Sequence, residues 1–311
     1  MFYLSVVICT LSRTKQLEEA LLSLSRQTFD NTQYETIVVD NSPNKSAEDL
    51  VRRHVEMISN LSYTHEPILG LSHARNRGIE VSQGEWVVFL DDDAEPESYW
   101  LENLSKCISS IPCLGVVGGK VLPVWLETPP KWLSKELYPS LSVCDYGTGE
   151  DFRKLDFPTE APVGANIAYP KKLLSQFGKF NPRFGRQGSL LLSGEETELN
   201  HRFYQAGLPI WYCPNAIVYH HIPKERMTKS FFRRRNYWSG RTWALLQFER
   251  FGGVNLRRNL LERFLYGITI GIARSFAFSV LHRNIFLFEF ILYEWFGYIV
   301  QGIQINFKKK D

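Results

Sequence analysis

The residues able to do chemistry fall in a few short stretches. The densest is Asp91-Asp92-Asp93, which ends the apolar run Trp86-Val87-Val88-Phe89-Leu90. β-prone residues that stop in carboxylates read as a buried strand delivering acid groups to its C-terminal edge. Adjacent carboxylates repel one another, so a site that keeps them holds a cation, Mg²⁺ or Mn²⁺ for oxygen donors. The competing reading is an acidic turn with a helix-capping Asp. Two further strand-like runs end in Thr10 and Asp40. In an open parallel sheet all these ends share one edge, where ligands gather. A nucleotide suits that edge. Asp40 would accept hydrogen bonds from a base or ribose, Arg13 and Arg75 would meet phosphates, and the acid cluster would hold a cation bridging a diphosphate. Neither GxGxxG nor GxxxxGK[ST] occurs at these turns, so a dinucleotide fold and a P-loop are poorly supported.

The elements that must position these groups follow from periodicity. Strand patterns at 4–10, 36–40, 61–65 and 86–90 alternate with helical spacings at 15–26, 47–59 and a segment reaching about residue 82. This alternation predicts an α/β fold with a mostly parallel sheet covered on both faces. Next come a predicted helix at 97–109 and a strand at 114–121. Residues 122–158 are rich in Pro, Trp and Tyr and read as pocket-shaping loops. A second acid cluster, Glu195-Glu196-Thr197-Glu198, precedes a predicted helix at 199–206 closed by Gly207. Strand patterns at 209–213 and 216–219 bracket a turn and lead to His220-His221, only one of which can face a given site.

In their order and spacing these segments resemble the inverting GT-A glycosyltransferases of family 2, over residues 4–221. Val7-Ile8-Cys9-Thr10-Leu11-Ser12-Arg13 is similar to the family's first-strand nucleotide motif, with Cys in place of the usual Pro. Val38-Val39-Asp40-Asn41-Ser42 resembles its second-strand motif, and Ala74-Arg75-Asn76-Arg77-Gly78 its Ala-Arg-Asn-x-Gly segment. Asp91-Asp92-Asp93 resembles the DxD signature, whose last Asp ligates the metal. The resemblance therefore implies that Asp93 and Asp91 bind metal and diphosphate, with Asp92 beside them, and that Thr10, Arg13, Asp40 and Arg75 hold the nucleotide. Gly164-Ala165-Asn166 resembles a segment that lines the donor-sugar pocket, which implies a sugar contact for Asn166. Gly194 to Leu199 resembles Gly-Glu-Asp-x-Glu-Leu, whose Asp is the general base. Glu196 holds that position here, one methylene longer, and Glu195 is the other candidate. The family's His after the last strand completes the metal shell, which implies His220, with His221 as second choice.

Composition sets the remaining expectations. Of 311 residues, 44% are hydrophobic and 22% charged, enough for one large core or two domains. Residues 224–283 carry 13 Lys/Arg against 3 Asp/Glu, leaving 23 bases and 30 acids elsewhere. An acidic body with a basic, aromatic tail suggests a catalytic unit attached to an anionic surface. The division expected is a GT-A catalytic domain at 1–222 and a helical C-terminal region at 223–311. Arginines early in that region are expected to close over the diphosphate, and a nucleic-acid role is set aside. The apolar runs at 264–281 and 285–305 contain Arg274, Glu289 and Glu294. They read as amphipathic helices at a membrane surface, with packing on the catalytic domain or a second subunit, or true spans, as alternatives. Five cysteines without a CxxC pair indicate neither a disulfide framework nor a zinc site, so a reducing compartment is expected. The first residues lack a basic n-region, so no signal peptide is expected. Together these features imply a cytoplasmic enzyme, peripheral on the inner face of the plasma membrane. It would use Mn²⁺ or Mg²⁺ to move a sugar from a nucleoside diphosphate to a glycan, a lipid-linked one above all. The alternatives are a nucleotidyltransferase and a non-catalytic membrane scaffold.

Overall fold

The computed structural model describes residues 3–147, 149, 152–186, 192–251 and 271–308. They form two compact units: Met1–Val124 with Ser142–Gly185 and Glu195–His221, and Trp125–Leu141 with Arg186–Gly194 and Ile222–Asp311.

The first unit is built on a mixed sheet. Its strands are β1 (Leu4–Thr10), β2 (Tyr34–Asp40), β3 (Leu61–His65), β4 (Trp86–Asp91), β5 (Ala94–Pro96), β6 (Val116–Trp125), β7 (Arg153–Lys154), β8 (Asn166–Pro170) and β9 (Ile210–Ile222). The order is β3-β2-β1-β4-β8-β6-β9-β5, with β7 against β9. β1 pairs in parallel with β2 and β4, and β2 with β3, while β8 runs antiparallel to β4 and β6. The register sets Thr10 opposite Asp40 and Cys9 opposite Asp91, so the chemistry-bearing ends reach one edge together.

Side-chain alternation along these strands makes two cores. Leu4, Val6, Ile8, Val38, Val88 and Leu90 face one side, with α1 (Thr14–Leu24), α2 (Glu48–His54) and α4 (Trp100–Ser110). Val7, Ile37, Val39, Val87 and Phe89 face the other, with α3 (Leu71–Val81), α5 (Lys171–Phe177) and α6 (Glu195–Gln205). Every residue of β2 is buried, as a central parallel strand requires.

Several boundaries differ from the sequence expectation. α2 stops at His54 instead of continuing to 59, and β6 runs on to Trp125. The region 122–158 contains a 3₁₀ segment, Lys135–Leu141, as well as β7. The two short strands expected near 209–219 are one strand, β9. Pro214 and Asn215 read as a turn in sequence, but β9 pairs with β7 through Trp211 and Tyr212 and with β5 through Val218 to His220. Pro214 lies between these two ladders, where a missing N–H is tolerated. Cys107 on α4 and Cys213 on β9 form a disulfide across 106 residues. This corrects the expectation that no cysteines pair: sequence spacing reveals local CxxC pairs only, whereas packing of α4 on the sheet joins distant ones.

The second unit is helical. Its helices are α7 (Lys229–Phe251), α8 (Ile272–Leu281) and α9 (Ile285–Lys308). Trp132 packs edge-on against Phe232 and Phe286, which is why 125–141 belongs with the C-terminal helices. On α7 and α9, Gly240 and Gly297 each meet the backbone of the opposite helix, a close approach that only a residue without Cβ permits. The acids that interrupt the apolar run are used here: Arg233 pairs with Glu289 at 2.7 Å, and Ser239 donates to Glu294 at 3.2 Å. Arg241 bonds Gln301 at 2.7 Å and lies over Trp238. Arg233 and Arg241 thus bond within the helical unit. By length and composition Ile285–Ile305 is apolar enough to cross a membrane, with mean hydropathy 1.2. Of the 264–281 run, residues 264–270 lie outside the described residues.

Candidate active site

Two linked carboxylate groups occupy the sheet edge. The first is the acid turn after β4. Thr10 Oγ1 donates to Asp92 Oδ2 at 2.7 Å, and Arg13 Nη1 bonds Asp92 Oδ1 at 3.1 Å and Asp93 Oδ2 at 2.9 Å. His220 Nε2 lies 3.1 Å from Asp93 Oδ1. Asp91, Asp93 and His220 each place a donor atom within 4.8 Å of the others. β5 brings this about: its antiparallel pairing sets Ala94 opposite His220, so the strand end and the histidine meet directly. Burial pushes the Asp92 carboxyl up to about 6, Arg13 opposing and Asp93 reinforcing the shift. Burial acts to lower the Arg13 pKa, but the three aspartates outweigh it and the guanidinium is held more firmly charged. Asp92 thus anchors Thr10 and shares Arg13 with Asp93, and Asp91, Asp93 and His220 form a candidate cation-binding set.

The second group centres on Arg75. It projects from α3, is only 3% exposed, and meets Glu195 Oε1 and Glu196 Oε1 at 2.9 Å each and Asp91 Oδ1 at 3.7 Å. Its guanidinium sits 5.7 Å from the Phe89 ring centre and 5.4 Å from that of Phe180. Burial works against its charge, and Glu196, Glu195 and Asp91 overcome that effect, so Arg75 is cationic across all working pH. Helix α6 begins at Glu195, four residues before the sequence expectation, and Glu195, Glu196 and Glu198 fill its first turn. Carboxylates there complement the helix dipole. Glu195 is buried, whereas the Glu196 side chain keeps 19% exposure. A Cβ at Gly164 would overlap Glu196 Oε1 and Arg75 Nη2, so this pair requires glycine beside it.

The predicted residues therefore divide. Thr10, Arg13, Asp91, Asp92, Asp93 and His220 come together, as do Arg75, Glu195 and Glu196, and Asp91 touches both groups. Arg75 faces three carboxylates in place of the expected phosphate. Asp40 is fully buried and accepts from the Ser42 and Ala47 backbone N–H groups at 2.8 Å each, fixing the turn before α2. Asn166 is fully buried too. It donates to the Lys120 and Ala216 carbonyls at 3.0 and 2.8 Å and accepts from Trp100 Nε1 at 3.0 Å, stapling β8 to its neighbours. These bonds occupy the amide at both ends, so the expected sugar contact gives way to a structural one. Sequence reasoning missed Phe89 and Phe180 as the aromatic seat of Arg75, since an apolar strand residue and a loop Phe carry no chemical signature. Burial pushes the Cys9 thiol, beside Asp91 in the register, up to about 12, which favours its protonated form.

Residues 5–178 match Glycosyl transferase family 2. A glucosyl-dolichyl phosphate glucuronosyltransferase of Haloferax volcanii is 28% identical over 240 residues, covering 76% of this chain and 74% of its own. The succinoglycan biosynthesis protein ExoM of Rhizobium meliloti is 27% identical over 299 residues, covering 94% and 90%. S. aureus TarS 1-349, solved in complex with UDP, superposes with TM-score 0.55 at 17% identity, covering 98% of this chain and 91% of that one. GalNAc-T7 with UDP, GalNAc and Mn²⁺ superposes with TM-score 0.57 at 17% identity, over 78% of this chain and 51% of that one. The architecture is the GT-A fold with a C-terminal helical region.

Proposed function

This chain belongs to glycosyl transferase family 2, and we propose that it is an inverting enzyme that moves a sugar from a nucleoside diphosphate to a glycan. The observation that carries this reading is the meeting, through Asp91 and Arg75, of a cation-type donor set with a carboxylate pair at one sheet edge.

Two carboxylates and an imidazole suit Mn²⁺, and Mg²⁺ through the oxygens. A divalent cation held by Asp91, Asp93 and His220 would stabilise the negative charge of the departing diphosphate. Thr10 and Arg13 fix the orientation of Asp92 and Asp93 at that place. Inversion needs a base on the side of the sugar opposite the leaving group. Glu196 takes that role over Glu195, because a base must reach the acceptor hydroxyl and Glu196 is the more accessible of the two. Its proton acceptor is Oε2, since Arg75 holds Oε1.

The acceptor we favour is a lipid-linked glycan of surface-polysaccharide assembly, met at a membrane surface. The two relatives, a glucosyl-dolichyl phosphate glucuronosyltransferase and a succinoglycan biosynthesis protein, support that class. So do the exposed apolar side chains of the helical unit, Phe276, Phe278, Leu281, Ile285 and Phe296. Calorimetric titration of UDP, GDP, dTDP and CDP, with and without Mn²⁺, tests the donor site. One nucleotide should bind, need the cation, and fail to bind to Asp93→Ala. Cation-independent binding, or full transfer by Asp93→Ala, would refute the reading. Transfer to soluble oligosaccharides but never to polyprenyl-linked ones would refute the acceptor class.

A further inference from the structure

The helical unit holds a cavity of about 490 Å³, the size of a small-molecule site. It lies between α7, α8 and α9. Trp243 comes from α7, Ile272 from α8, and Ile291, Trp295 and Tyr298 from α9. The three α9 residues stand at i, i+4 and i+7, so one face of that helix forms a continuous wall. Gly240, which also lines the cavity, presses on the Glu294 backbone, so α7 and α9 meet along one side of it.

These walls are aliphatic and aromatic, and water finds few bonding partners along them. Polar groups are few. Tyr298 is buried and its hydroxyl donates to Gln247 Oε1, which leaves the ring as apolar wall. Glu294 accepts from Ser239 Oγ at 3.2 Å. Arg274 and Ser275, adjacent on α8, add a guanidinium and a hydroxyl, and Arg274 is exposed at the mouth. Residues 272–283 contain Arg274 and Arg283 and no acid, so this side of the cavity favours an anion. The mouth also opens onto hydrocarbon. Ile272 lines the cavity and is 39% exposed, and Phe276, one turn on along the same face of α8, is 50% exposed. An apolar chain entering from a lipid layer by this route meets no polar step, while an anionic end stays beside Arg274.

We propose that this cavity holds the isoprenoid chain of a polyprenyl phosphate, with Arg274 and Ser275 bonding the phosphate, an assignment that rests on the lipid-linked acceptor class above and gives its lipid end a place in the chain. Burial of branched hydrocarbon against Ile272, Ile291 and the two indoles supplies the driving force. A guanidinium beside a hydroxyl suits phosphate oxygens. Methyl branches and planar double bonds cover the flat faces of Trp243 and Trp295 more fully than a straight saturated chain does, which selects isoprenoid over acyl lipid.

Calorimetric titration of the full-length protein in detergent with farnesyl phosphate tests this, with dodecyl phosphate and inorganic phosphate as comparators. One farnesyl phosphate should bind per chain, about tenfold or more tighter than dodecyl phosphate, and inorganic phosphate should not saturate. Ser275→Phe, which puts a ring into the cavity, and Trp295→Ala, which removes a wall, should each weaken farnesyl phosphate by about tenfold or more. Arg274→Gln should weaken farnesyl phosphate by about tenfold and leave farnesol binding unchanged. Its side chain is exposed, so this variant keeps the fold should the other two lose it. Equal binding of dodecyl phosphate overturns the proposal, as uptake by an unselective lipid surface. So does farnesyl phosphate binding that all three substitutions leave unchanged, or no binding at all. Mn²⁺-dependent nucleotide binding reads the donor site, and transfer to polyprenyl-linked against soluble glycans reads the acceptor class. A native chain that passes both and binds no farnesyl phosphate refutes the cavity assignment alone.

Discussion

Arg75→Gln probes the link between the two carboxylate groups. The guanidinium is nearly inaccessible, and so is Glu195, while Glu196 and Asp91 are partly exposed. Removing one partner of a buried ion pair costs about 3–5 kcal/mol, because the other is left charged and unsolvated. Loss of the Phe89 and Phe180 contacts adds about 0.5–1 kcal/mol each. Glu196 and Asp91 contribute little, since water can reach them. Urea unfolding at pH 7.5 should thus show a loss of about 4–7 kcal/mol, a large share of a typical domain's stability. The double variant Arg75→Gln/Glu195→Gln should recover about 2 kcal/mol of it, since neither amide leaves a buried charge. Kinetics separate two roles. If Arg75 positions the base, kcat falls while the donor KM changes little; if it contacts a donor phosphate, KM rises instead. A stability loss below about 1 kcal/mol, or single-variant costs that simply add, would refute the argument that burial makes this pair strong.

Glu196→Gln should keep nucleotide binding by calorimetry and lower kcat by about 10²–10⁴, the usual contribution of a general base; an unchanged kcat would pass the role to another group. Asp92 yields a pH prediction for chelator-treated protein. Its carboxyl is raised to about 6 in the fold, against about 3.9 unfolded. A raised carboxyl contributes stability that is complete below the unfolded value and lost as pH climbs through the folded one. Asp92→Asn removes that loss, so its stability relative to the native chain should improve by about 2–3 kcal/mol between pH 4 and 7.5. A flat difference across that range in paired urea titrations would contradict it. Denatured without reductant, the protein should expose three titratable thiols, Cys9, Cys113 and Cys144, and all five after reduction.

Much of the scaffold was legible in the chain. The strands at 4–10 and 86–90 are apolar runs closed by polar residues, which mark where each strand ends. Bounds set by weaker signals moved. α6 starts at Glu195 because three glutamates complement its dipole, an effect that apolar periodicity does not register. β9 continues through Pro214, pairing with β7 before it and with β5 after it, beside β6.

The sequence by itself determined which residue types would stand at the edge of the sheet, since each strand's own pattern says where it ends. Asp91 to Asp93 and Thr10 were visible on that ground, and Glu195-Glu196 as an acid cluster ahead of a helix. Only the tertiary structure decided what each group touches. Arg75 meets carboxylates instead of phosphate because α3 lays it between Phe89 and Phe180, opposite the first turn of α6. Asn166 turns inward because three other elements converge on its amide. Cys107 finds Cys213, and His221 finds Glu19 and Glu95, across separations that local spacing cannot encode. The physical reason is one of range: backbone pattern is a property of neighbours in the chain, whereas charge compensation and hydrogen bonding depend on distances that exist only after the chain is packed.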